Sequence, residues 1–120
     1  YTMALDKDYV PTGKPMVFAA GLGNGWHDGL DIDVCGNVYA VDYSSSSLYR
    51  ASPDGKTVTR LVDWSGPGAD FGHGMEYGSG VGGWRADAIY LPMPTGDKKV
   101  KEIVIGIPGN MWEGKVLNAP

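Results

Sequence analysis

The chain has 120 residues and a net charge of −4, enough for one small core and too little to divide into two. Its 10 Lys and Arg against 14 Asp and Glu argue against a nucleic-acid or anionic-membrane surface, and no apolar run approaches the ~18 residues of a membrane-spanning helix. Glycine is the outlier: 19 residues, with 8 prolines, lie spread between apolar runs, which predicts many tight turns and an all-β fold.

In chain order, Thr2 to Leu5 and Pro15 to Ala19 read as the last two strands of an incomplete unit over 1–20. A complete unit over 28–64 follows. Leu30 to Val34 alternates apolar and acidic, Cys35-Gly36-Asn37 turns the chain, and Val38 to Val41 returns as an apolar run. Ser44 to Ser47 makes a polar turn into Leu48 to Ala51. Pro53-Asp54-Gly55 makes another into Thr57 to Trp64, with Pro setting φ and Gly accepting a positive one. A last unit, 70–109, holds Met75 to Tyr77, Ala88 to Leu91 and Val100 to Ile107, with Pro92, Pro94, Thr95 and Gly96 as its turn; 110–120 is a tail. Nowhere do apolar residues recur at helical spacing through a stretch free of Gly and Pro, so no helix is expected.

The units repeat. Asp28-Gly29-Leu30-Asp31-Ile32-Asp33 aligns with His73-Gly74-Met75-Glu76-Tyr77-Gly78 at an offset of 73 − 28 = 45 residues. Val38-Tyr39-Ala40-Val41 recurs as Ile89-Tyr90-Leu91 after a longer connection, 79–85, and Met16 to Ala19 resembles Arg60 to Asp63. Such a period, with four short strands per unit, is that of propeller blades, and the expected fold is a β-propeller fragment of about two and a half four-stranded blades. These cannot close a ring, so the remaining blades are expected from a missing N-terminal segment, a second chain or self-association. The first is the most economical, because the chain opens in mid-blade.

Asp28 precedes the innermost strand of its unit, where a propeller's central tunnel opens, and its carboxylate suits either a hard cation or a turn cap. The repeat puts His73 at the equivalent position, so both side chains are expected to face one opening, with the imidazole moving protons or simply bonding backbone. His27 is expected to point away along the backbone. Asp31 and Glu76 align as tunnel-lining groups or, more commonly, partners of backbone and Arg in the next unit. Trp26, Trp64, Trp84 and Trp112 read mostly as packing between blades, Trp84 also as a cover over the tunnel mouth. Cys35 reads as a buried small residue, and Lys98, Lys99 and Lys101 as a solvated turn and strand edge. The Gly-rich run 78–83 lacks the Lys and helix of a phosphate loop.

The string DGLDIDVCGNVYAVD (28–42), Leu48-Tyr49-Arg50, Ser52-Pro53-Asp54-Gly55-Lys56 and Val104-Ile105-Gly106-Ile107-Pro108-Gly109 resembles the late blades of the gluconolactonase, regucalcin and luciferin-regenerating family. Strictosidine-synthase-like proteins and paraoxonases share much of this pattern. The resemblance implies a six-bladed propeller, a divalent cation (calcium first, zinc or manganese next) at one end of the tunnel, and hydrolysis of a lactone substrate. It implies that Asp28 is a metal ligand that helps activate the attacking water, the Glu and two Asn ligands coming from earlier blades. His27 departs from the family's Pro, losing a rigid turn and adding a titratable group. The function expected is therefore part of a metal-dependent hydrolase of lactones or cyclic esters, with Asp28 and His73 catalytic. A non-catalytic binding or accessory propeller and a strictosidine-synthase-like condensation are the alternatives. A secreted or periplasmic setting is the compartment retained.

Overall fold

A computed structural model describes residues 1–66, 72–95 and 98–110. The expected turn at Gly96, the first two residues of the 70–109 unit, Trp112 and nearly all of the tail lie outside the described residues. Among those described there is no helix, and so none long and apolar enough to cross a membrane. Among the described residues nine strands make three antiparallel sheets. They are β1 (Thr2–Leu5), β2 (Pro11–Met16), β3 (His27–Ile32), β4 (Val38–Asp42), β5 (Ser47–Ala51), β6 (Val58–Asp63), β7 (Glu76–Tyr77), β8 (Ala88–Met93) and β9 (Lys99–Val104).

Strands β3 to β6 form the expected four-stranded meander in sequence order, and β7 to β9 form a three-stranded one. Strands β1 and β2 pair as a hairpin, but not where the Gly and Pro pattern put its second strand. Asp6 decides this. One of its carboxylate oxygens accepts the amides of Asp8 and Val10 at 2.8 and 3.0 Å, closing a turn with Tyr9 at φ 61°. The chain therefore reverses before Pro11, β2 ends at Met16, and the expectation of a strand over Pro15 to Ala19 is corrected. All residues of the hairpin strands are exposed, and neither strand packs on another sheet.

The core lies between the two larger sheets. Tyr39, Val41 and Leu48 of the meander meet Met75, Tyr77, Ile89, Leu91 and Met93, with Val62, Trp64, Ile103 and Ile105 at the margin. Each fully buried side chain of this kind contributes about 1.5–3 kcal/mol, and the Tyr39 and Tyr77 rings meet edge to face at 5.7 Å.

Polar bonds fix how the sheets meet. Asp31 turns inward and accepts the Tyr77 amide at 2.8 Å, the second of the two roles its pattern allowed. After β9 the chain returns to β3: Gly109 bridges Asp33, Pro108 accepts the Val34 amide, and the Asn110 amide donates to Ile32. Along β3 and the turn after it, Asp31 and Asp33 thus face inward, while Leu30 and Val34 are 63 % and 59 % exposed.

Two packing expectations are corrected. Cys35 is exposed, because the adjacent Asp33 takes the interior of that turn. Asp33 is fully buried and accepts from the amides of Cys35 and Asn37, the Asn37 side chain and the Tyr39 hydroxyl. Trp26 is 69 % exposed instead of packed between sheets. Trp64 does pack on the core, with Lys101 over its ring, whereas Trp84 is about half exposed and stacks edge-on against Tyr90.

Candidate functional site

The two aligned positions meet in space. His73 is placed by its own amide, which donates to Pro92 at 3.0 Å, and by the next one, as Gly74 donates to the Asp28 carbonyl at 3.1 Å. Strand β3 comes this close to that segment only because residue 29 is glycine: a Cβ there would lie 2.6 Å from the Gly74 carbonyl carbon. Asp28 sits in a register shift between His27 and Gly29 at the start of β3. Its carboxylate Oδ2 contacts His73 Nδ1 within hydrogen-bond reach, with both side chains 45 % exposed.

An open cleft of about 260 Å³ surrounds the pair, lined by Trp26, Asp28, Tyr43 and His73. The Tyr43 ring lies edge-on to the His73 imidazole at 4.8 Å between centroids. His27 takes no part in the lining, and its Nε2 lies 2.7 Å from the Leu22 carbonyl oxygen, turned into its own loop as expected. Asp31 is committed between sheets, and Glu76 lies exposed opposite Tyr90 in the β7–β8 pair.

Sequence reasoning missed both aromatic walls and the fully buried Asp42 behind them. The available signal was an acid closing an apolar strand, Val38 to Asp42, just before a Tyr-Ser turn: a carboxylate there is more useful to backbone amides than to solvent. Burial pushes the carboxyls of Asp33 and Asp42 up, but their hydrogen bonds outweigh it, and both rest below the usual carboxylate range.

The described residues hold no group of three His, Cys, Asp or Glu able to bind a metal ion. Calcium takes 6–8 oxygen ligands, and one Asp28 oxygen already faces His73. A calcium ion at Asp28 would therefore need most of its ligands from outside the described residues. The pair does suit acid–base chemistry: Asp28 orients the ring through Nδ1, and Nε2 is the second nitrogen of a ring that lines the cleft. No protein-family model and no curated protein matches the chain.

Proposed function

We propose that this chain is part of a β-propeller of the gluconolactonase type and that Asp28 and His73 form the acid–base centre of a hydrolase for lactones or similar cyclic esters. One observation carries the reading: a 45-residue repeat brings an acid and an imidazole, far apart in sequence, into contact at an aromatic-walled cleft. The units 28–64 and 70–109 are read as successive blades and 1–20 as the end of another. The remaining blades would come from an N-terminal segment or another chain.

In the reaction, Nδ1–H of His73 donates to the Asp28 carboxylate, so Nε2 carries the lone pair. Nε2 takes a proton from water as the water oxygen bonds to the ester carbonyl carbon. The tetrahedral intermediate collapses, its ring C–O bond breaks, and His73 returns the proton to the departing alkoxide, leaving a hydroxy acid. Asp28 stabilises the transient imidazolium. The cation implied by the resemblance would polarise the carbonyl, with Asp28 its only ligand from the described residues.

The test is His73→Gln in the complete protein with a chromogenic lactone. Turnover is expected to fall by about 10²-fold or more, with melting little changed because the side chain is half exposed. Unchanged turnover would remove the assignment. Calcium, manganese or zinc should raise the melting temperature of the complete protein if Asp28 shares a cation site; no shift with any of them removes the metal. The aromatic walls also suit a binding module without turnover, which predicts that His73→Gln leaves ligand affinity intact and that no lactone is opened by either form.

A further inference from the structure

Both walls of the cleft are held by one side chain that does not touch the cleft. Asp42 ends β4, is fully buried, and is absent from the cleft lining. Its Oδ2 accepts the Asn24 amide at 2.6 Å. Its Oδ1 accepts the amides of Trp26 and Ser44 at 3.3 and 3.2 Å and the Ser44 hydroxyl at 2.9 Å. The loop that presents Trp26 and the turn that presents Tyr43 thus converge on a single carboxylate, and the Tyr43 amide ties them again by donating to the Trp26 carbonyl at 2.9 Å. Contact is close enough that a Cβ at Gly23, whose φ is +92°, would overlap the Asp42 carboxylate.

We propose that Asp42 is the positioning residue of the cleft, clamping Trp26 and Tyr43 at a fixed separation so that substrate is held between them. The catalytic pair has other anchors: Asp28 and His73 are fixed by the Gly74–Asp28 and His73–Pro92 backbone bonds, none of which involves Asp42. Loss of the clamp therefore disturbs binding and leaves the Asp28–His73 contact in place. The kinetic part of this inference rests on the hydrolase reading; the placement of the rings does not.

Two measurements test it with Asp42→Asn, in which amide hydrogens replace one acceptor, and with Ser44→Ala as a milder variant that keeps the carboxylate. In the 120-residue chain, proton NMR should lose the Tyr43–His73 ring contact, and the assigned Trp26 indole proton signals should shift in Asp42→Asn and partly in Ser44→Ala. In the complete protein, KM for a chromogenic lactone should rise about tenfold with kcat within about twofold, a split that loss of folded protein alone does not produce. An intact ring contact in folded Asp42→Asn, or a fall in kcat at constant KM, overturns the proposal. If the complete protein opens no lactone, the hydrolase reading fails and the ring contact still decides the role of Asp42. If Asp42→Asn does not fold, Ser44→Ala decides: an unchanged ring contact and unchanged Trp26 indole signals overturn the proposal.

Discussion

Two buried acids carry much of what is specific at single positions. Asp33 and Asp42 each gather at least four hydrogen-bond donors, all of them uncharged amides or hydroxyls. Both have folded-state carboxyls below the ordinary range, since their hydrogen bonds outweigh the upward push of burial. The sign follows from linkage: an acid whose folded value is depressed stabilises the fold above its unfolded value, near 3.9, and that contribution fades as pH falls through the folded one. Urea unfolding should therefore show stability nearly flat from pH 5 to about 8 as far as these carboxyls are concerned, then falling below about pH 4. Asp33→Asn should shrink that fall while costing about 1–3 kcal/mol at neutral pH, because its amide hydrogens face donors. An acid limb as steep in Asp33→Asn as in the native chain would remove Asp33 from the explanation.

Among strands, β3 has the most to reconcile. It pairs with β4 on one side and abuts β7 on the other, presenting Asp31 to Tyr77 and glycine to glycine at Gly29 and Gly74. Gly29→Ala would thrust a methyl against the Gly74 backbone and Met75, neither of which can yield as a flexible side-chain tip would. It should destabilise by about 2 kcal/mol or more, measured by thermal unfolding, and weaken the Asp28–His73 contact, measured by the imidazole proton shifts. A variant as stable as the native chain would show that the sheets can part at no cost. The apolar and acidic alternation of this strand was legible; its facing was not. Periodicity gives two faces but does not say which is inside, and here the face of Asp31 and Asp33 is the inner one because backbone amides of the next sheet and of the following turn await those carboxylates.

Across the whole molecule, apolar surface is left open on both outer sides of the packed sheets. Leu30 and Val34 are exposed beside the meander, and Val100 and Val104, 54 % and 52 % exposed, alternate with the core-facing Ile103 on β9. Faces of this kind favour association, and in the propeller reading neighbouring blades cover them. The chain by itself should self-associate, and a Leu30→Lys, Val104→Lys double variant should sediment closer to a monomer. Equal sedimentation of the two forms would show that these faces are not what associates.

Much of the architecture could be read from the amino-acid order. The all-β class and the meander of β3 to β6 follow from local signals, short apolar runs and turn residues of defined conformation, and the sequence alignment at an offset of 45 named Asp28 and His73, which are in contact. Tertiary structure alone decided the rest. Asp6 moved β2, Asp33 displaced Cys35 to the surface, and Asp42 drew Trp26 and Tyr43 to the two sides of one cleft. In each case a carboxylate chose among backbone amides brought near by folding, and local sequence does not encode which amides those will be.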